Sequence, residues 1–326
     1  RGEDARARLI ALSEMPGEWT SAVARWKVLN ATHLVTNGET RAPSVAFEYM
    51  LYQALLGAWP SGQRDESFSK RIQAYALKAA REGKQETSWL NPHEAYEAGL
   101  RTFIDRILDP EASAEFLETM ERLAQRVALI GALNSLSQVT LKATMPGVPD
   151  FYQGTEFWDL SLVDPDNRRP VDFAERAKVL VAVEAPDWVK LAQNWRNGHI
   201  KLAWTRHLLK LRAEHANVFT NGDYEPLQVG GAHRDQVIAF ARRRGRDAAI
   251  VAVAKSFAAF SQGGRAWPQA ESYDAALNVS GYSVEGFADA DATQLRLSNL
   301  FTHVPAAVLK AKVVGATKPV KQLVSA

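Results

Sequence analysis

The chain has 326 residues, 46% of them apolar, enough for two ordinary domains that each bury a core. Charged residues make up 23% and nearly cancel to a formal +2, so the composition lacks the concentrated basic surface that nucleic acid demands. Cysteine is absent, which excludes disulfides, thiolate metal sites and a cysteine nucleophile, and the longest apolar run, Ala248 to Ala254, falls far below the roughly 20 residues of a bilayer span.

The N-terminus has no apolar signal-peptide core, so cytoplasm is the expected compartment. The first residue is Arg where a natural start carries Met, so truncation or processing is expected. Helical spacing then governs the first 145 residues: Trp19, Val23 and Trp26, next Tyr49, Tyr52 and Leu56, and next Phe68, Ile72, Tyr75 and Ala79 each form one apolar stripe. Asn91, Pro92 and Glu94 supply an N-cap, a first-turn proline and a capping-box acid for a helix through about Leu108. From about Ala112 the series Phe116, Met120, Leu123, Val127, Ile130 and Leu133 predicts a long buried helix to about Thr144, where Pro146-Gly147 stops it.

A short strand is predicted at 149–154 because the stretch is too short for a helix and is bounded by turn residues. Helix, tight turn, strand, loop is the order of the last units of an α/β barrel. From Asp164 to Asp187 a loop and a short helix follow, then a helix from about Gly198 to Glu214 with Ile200, Trp204, Leu208 and Leu211 on one face. Beyond Asn217 the chain changes character: Tyr224 to Val229, Gln236 to Arg242 and Ala248 to Lys255 are β-prone runs between Gly-rich turns, and weaker ones reach Leu309. Lys310 to Ala326 reads as a frayed basic tail. A boundary near 216 is expected, with a sandwich-like antiparallel β domain over 216–326 that could stand alone.

Catalytic and binding groups of an α/β barrel sit at the C-terminal ends of its strands. A strand at 149–154 therefore delivers Tyr152, Gln153 and Glu156 to the barrel mouth, where a tyrosine face and hydroxyl suit a sugar ring. The competing reading makes Phe151 and Tyr152 core aromatics and Glu156 a solvated loop acid. Asp164, Asp166, Arg168 and Arg169 lie within one short stretch, and Asp beside Arg can hold a polyol by paired hydrogen bonds. Equally, the four charges can form an internal ion-pair cluster that pins the loop. A glycosidase acid/base pair is the weakest of the three readings, because two acids so close on one loop more often brace an arginine. His199, His207 and His215 recur every eight residues, not at the spacing of about four that a metal helix uses. No phosphate-binding glycine fingerprint and no nucleophile elbow is present, so neither a metal nor another cofactor is expected. Of the many tryptophans, Trp158 is the one expected to face substrate.

The stretch Met145-Pro146-Gly147-Val148-Pro149-Asp150-Phe151-Tyr152-Gln153-Gly154-Thr155-Glu156 is similar to the eighth-strand segment of α-amylase-type barrels, and Arg168-Arg169-Pro170 resembles the Arg-x-Pro segment that follows it. The longer wording from Gln153 through Trp158 and Asp164 to Asp172 resembles maltooligosyl trehalose synthases in particular. Arg1 to Arg8, Glu48 to Pro60 and Lys84 to Trp89 agree, and the likeness thins beyond about 230, where Ala254-Lys255 stands in place of an expected Pro-Arg. The resemblance implies the C-terminal portion of a (β/α)8 barrel carrying a helical insertion at about 16–110, followed by a small all-β domain. It also implies an intramolecular transglucosylase that turns the reducing-end α-1,4 linkage of a maltooligosaccharide into an α,α-1,1 linkage, in functional pairing with a trehalose-releasing hydrolase. Implied substrate-binding residues are Tyr152, Gln153, Glu156, Trp158, Asp164, Asp166, Arg168 and Arg169. In the family, the nucleophile, the acid/base and an assisting Asp lie before the Arg1-Gly2-Glu3-Asp4 stretch, so no catalytic residue is expected within this sequence and no turnover from it alone. Because such an isomerase must exclude water between its half-reactions, the helical insertion is expected to help close the acceptor end. An α-amylase-type hydrolase and a non-catalytic carbohydrate-binding protein are the alternatives.

Overall fold

The apolar stripes of the first half fold as helices whose buried faces meet. The computed structural model describes residues 1–314 except 39, 63, 65 and 288–292. Two units result, one of Arg1–Gln138, Asp150–Thr205 and Ser256–Pro268, the other of Val139–Pro149, Arg206–Lys255 and the described residues from Gln269 on. In place of the single boundary expected near 216, each unit is assembled from three stretches of chain.

The first unit begins with α1 (Glu3–Ile10), α2 (Pro16–Leu29), a hairpin of β1 (Val35–Asn37) and β2 (Thr40–Ala42), α3 (Val45–Ala58), α4 (Glu66–Gly83), α5 (Glu94–Leu108) and most of α6 (Ala114–Thr144). Trp26 of α2 is fully buried, with Trp19, Tyr52 and Phe116 at ring-centroid distances of 5.8, 5.4 and 5.7 Å. These edge-on contacts add specificity to the apolar burial, and the Trp26 indole N–H is satisfied by Thr119 at 2.9 Å. Tyr52 donates to the buried Glu48 at 2.7 Å, and Glu48 pairs with Arg41 on β2, which pins the hairpin to α3. Strands of three residues carry too little alternation to be read from sequence.

The stripe of α4 is Phe68, Ile72, Ala76 and Ala80; Tyr75 and Ala79, predicted on it, lie at its half-buried edge. The predicted cap of α5 at Asn91 is not used. Instead His93 precedes the first turn, its amide donates to Thr87 Oγ1 at 2.9 Å, and Thr87 donates to the buried Glu97, which also receives two hydrogen bonds from Arg81. Thr87 of the connecting loop, held by Glu97 of α5 and through it by Arg81 of α4, thus replaces the predicted cap.

The strand predicted at 149–154 is a correction. That segment is irregular, because a strand is held by a ladder and the described residues offer it no partner; every pairing among them is antiparallel and lies elsewhere. Downstream come α7 (Phe173–Ala182), α8 (Trp188–Gln193) and α9 (His199–Glu214). Val179, Val183, Leu202 and Ala203 form a small core with Phe157, Trp188 and Leu191 against it. This core holds the loop that precedes α7.

The second unit contains α10 (Ala216–Asn221), β3 (Asp223–Pro226), β4 (Val229–Gly230), β5 (Val237–Arg244), β6 (Asp247–Ala254), β7 (Ala276–Asn278), β8 (Tyr282–Val284), β9 (Gln294–Arg296), α11 (Leu297–Leu300) and β10 (Ala306–Val313). They make a five-stranded sheet in the order β3-β5-β6-β10-β8 and a three-stranded sheet β4-β7-β9. Central strand β6 is buried from Ala248 to Ala254, which explains its continuous apolar run. Arg242 is 1% exposed and donates to the carbonyls of Thr144, Phe219 and Gly222, meeting chain-end acceptors of α6 and α10 that lack helical partners. Lys310 to Val313 belong to β10, not to a tail, since Lys312 pairs in register with Asp247, and the Val314 amide donates to the Gly281 carbonyl at 2.8 Å; residues 315–326 of the predicted tail lie outside the described residues. No described helix is long and apolar enough to cross a membrane.

Candidate functional site

Two segments far apart in sequence dock side by side in the first unit. Gly2 has φ +79°, and a Cβ there would stand 2.3 Å from the Ser161 carbonyl oxygen, so the contact requires glycine. Asp159 receives the Gly2 amide at 3.0 Å, Arg1 Nε at 3.2 Å and the Ser161 hydroxyl at 2.5 Å. Its own amide donates to Asp4 at 2.6 Å. Behind Asp4, the fully buried Lys201 of α9 contacts Asp4 and Glu3, each at 2.8 Å. Burial alone would lower the Lys201 pKa, but Asp4 and Glu3 outweigh it and hold the ammonium above its usual value. Burial likewise pushes the Asp159 carboxyl up, and Ser161, the Gly2 amide and Arg1 together bring it below the ordinary range.

This docking forms one side of an open cleft of about 520 Å³, lined by Arg1, Tyr152, Gln153, Asn167, Arg168, Arg169, Pro170, Val171 and Phe173. Tyr152 is half exposed and lines the cleft. Arg168 is the most open of the guanidiniums, with 77% of its side chain exposed, and Arg169 is intermediate at 43%. Donors dominate the lining, and none of its residues carries a carboxylate. An aromatic face, an amide and several N–H groups can hold and orient a polyol.

Four of the eight predicted residues, Tyr152, Gln153, Arg168 and Arg169, come together in this cleft. The other four brace it. Asp166 is buried and takes a two-pronged contact from Arg71 of α4, at 2.7 and 2.9 Å, the Leu162 amide at 2.8 Å and Arg169 at 3.1 Å. Burial raises its pKa, yet Arg71 and the Leu162 amide more than offset this and leave it lowered. Asp164, after which the peptide to Pro165 is cis, pairs with Lys78 and Arg168, and the Lys78 bond followed by Arg168 lowers its pKa. The ion-pair reading of this loop therefore holds for both carboxylates. Glu156 is turned inward: it accepts from the Gly154 amide at 2.9 Å and from Arg176 of α7 at 2.7 Å. Trp158 donates to the Trp195 carbonyl at 2.7 Å and lies 5.8 Å from Lys201 Nζ, so it packs behind the docking and is not among the cleft residues.

Arg1, Asn167, Arg71 and Lys201 were not singled out from the sequence. Lys201 did leave a signal: it stands three and seven residues before Trp204 and Leu208, on the apolar face of α9, where a cation needs buried counter-charge. Nothing local marks Arg71 as the partner of a carboxylate 95 residues away.

No protein-family model matches the chain. A putative maltooligosyl trehalose synthase of Mycobacterium tuberculosis is 35% identical over 256 residues, which is 78% of this chain and 29% of that protein. Among solved structures, maltooligosyltrehalose synthase from Arthrobacter ramosus aligns with a TM-score of 0.70 at 30% identity, over 95% of this chain and 37% of its own. A hypothetical maltooligosyl trehalose synthase of Sulfolobus tokodaii aligns with a TM-score of 0.68 at 28% identity, over 94% and 36%. The chain thus spans 29% of the curated relative's length.

Proposed function

This chain belongs to the maltooligosyl trehalose synthase family, and we propose that it serves an intramolecular transglucosylase acting on maltooligosaccharides. The observation that carries the reading is the 35% identity over 78% of the chain, a span that includes family wording at the cleft. In the proposed reaction the C1–O4 bond to the reducing-end glucose breaks as a carboxylate of the enzyme bonds to that C1, which carries the rest of the chain, and an acid gives its proton to O4. The freed glucose turns, and its anomeric hydroxyl passes a proton back to that group as its oxygen attacks C1, releasing the carboxylate and giving the α,α-1,1 linkage. This chain's part is to bind and orient: Tyr152 stacks on a glucose ring, the Gln153 amide and the Arg168 and Arg169 guanidiniums donate to hydroxyls, and Asp164 and Asp166 hold the two arginines in place. A lining without carboxylates suits positioning, and the bond-breaking groups are proposed to lie elsewhere in an enzyme of full family length.

The helical stretch from α2 to α5 is proposed to help exclude water from the acceptor glucose, which must turn without being replaced by hydrolysis. A trehalose-releasing hydrolase consuming the product is the proposed functional partner, and cytoplasm the proposed compartment. The test is to incubate maltopentaose with a family-length enzyme carrying this sequence and to resolve the products. Terminal trehalosyl units are expected. Free glucose as the main product would make the protein a hydrolase, and binding without any turnover would make it a carbohydrate-binding module.

A further inference from the structure

Lys201 is the buried end of a bonded series that reaches the cleft. Its ammonium contacts Asp4 Oδ2; the same oxygen receives the Asp159 amide at 2.6 Å; and Asp159 in turn receives Arg1 Nε and the Ser161 hydroxyl. Arg169 Nη2 donates to that hydroxyl at 3.1 Å, and Arg1 Nη1 donates to the Arg169 carbonyl at 2.5 Å. Two of the cleft's guanidiniums therefore lean on Asp159 and Ser161, and the Asp159 backbone is in turn held by Asp4, whose charge Lys201 meets. The other oxygen of Asp4, Oδ1, is buried without a hydrogen-bond partner, so the charge of Asp4 is met by Lys201 and the Asp159 amide. The 2.3 Å approach that a Cβ at Gly2 would suffer leaves little slack for the Arg1–Asp4 segment to adjust.

We infer that Lys201 is a positioning residue for the transglucosylation, setting Arg1 and Arg169 against the sugar from a place where it touches no substrate itself. This rests on the function proposed above. Without the ammonium, the buried Asp4 carboxylate is left uncompensated beside the partly exposed Glu3, the Arg1–Asp4 segment lifts from Ser161, and the two guanidiniums lose their spacing. A sugar can still bind through Tyr152 and Arg168, so ground-state binding suffers less than turnover. Misplacement by about 1 Å is enough to cost on the order of 100-fold in rate.

The experiment compares Lys201→Met with the unaltered sequence in a family-length enzyme, measuring kcat and KM on maltopentaose at a temperature where circular dichroism reports both as folded. The expected result is a drop in kcat of at least tenfold with KM changed less than threefold, together with a larger share of free glucose. Unchanged kcat per folded molecule, or a loss confined to KM, overturns the inference. If Lys201→Met does not fold, the charge-neutral pair Lys201→Met with Asp4→Asn takes its place under the same criteria. Failure of that pair to fold makes the network a stability element alone and also overturns it. An unaltered enzyme that forms no trehalosyl product overturns the function itself, an outcome separate from any effect of Lys201.

Discussion

Two ion pairs on the same loop differ in what they do because they differ in burial. Asp166 has 2% of its side chain exposed and is clamped by Arg71, whereas Arg168 is 77% exposed beside Asp164. Removing one partner of a buried pair leaves the other uncompensated, so Asp166→Asn is expected to cost about 3 kcal/mol, read as a lower urea midpoint. Exposed pairs contribute about 1 kcal/mol or less, so Arg168→Ala should leave stability nearly unchanged. It should nonetheless weaken maltooligosaccharide binding about tenfold by titration calorimetry, or about 1.4 kcal/mol; equal affinity would remove Arg168 from the sugar site. The direction of the pH response also follows. Asp159 and Asp166 are both held below the usual carboxylate range, so the stability they add is present above the unfolded value of about 4 and is lost as pH falls through their folded values. Urea midpoints measured from pH 7 down to pH 3 should fall at the acid end, and less steeply in Asp166→Asn.

Between elements, the close approach of α1 and α6 depends on one missing methyl group. A Cβ on Gly131 would lie 2.6 Å from Arg8 Cγ and 3.0 Å from Arg8 Cα. Arg8 is fully buried there, its pKa lowered to about 10 chiefly by burial, and it donates to the Trp59 carbonyl, so it cannot swing aside. Helix propensity alone predicts that Gly131→Ala gains about 1 kcal/mol, while overpacking costs about 1–3 kcal/mol. The clash should win, and a denaturation midpoint that rises in Gly131→Ala would reverse that ranking. Element by element, the long period of α6 and the buried run of β6 were legible because many residues repeat one signal. The hairpin β1–β2 and the cap of α5 were not, since each depends on a few contacts made across the fold, such as Arg41 with Glu48 and Thr87 with Glu97.

For the whole molecule, the composition change near 216 marks where strands begin but not where a unit begins. The second unit includes Val139–Pro149 and the end of α9, and the buried Arg242 donates to the Thr144 carbonyl while Arg212 donates to that of Ala143. A polypeptide of residues 216–314 would retain both sheets and Arg242 but lose Thr144, one of the three carbonyls to which that buried guanidinium donates. Each unmet buried donor costs about 1–3 kcal/mol, so this piece should melt well below the β-rich transition of the whole chain in near-ultraviolet circular dichroism. Equal melting temperatures would show that the strands suffice.

The residues of the cleft loop were identifiable from sequence because the wording from Met145 to Asp172 is continuous, and the chemistry of Tyr, Gln and Arg toward a polyol does not depend on their neighbours. Which of those residues open to the cleft and which brace it was decided only by tertiary structure. Asp164, Asp166 and Glu156 look alike in a sequence, and it is the approach of Lys78, Arg71 and Arg176 that turns each inward. The same holds for Lys201, an ordinary helical lysine until folding removes its water and leaves Asp4 and Glu3 to balance its charge.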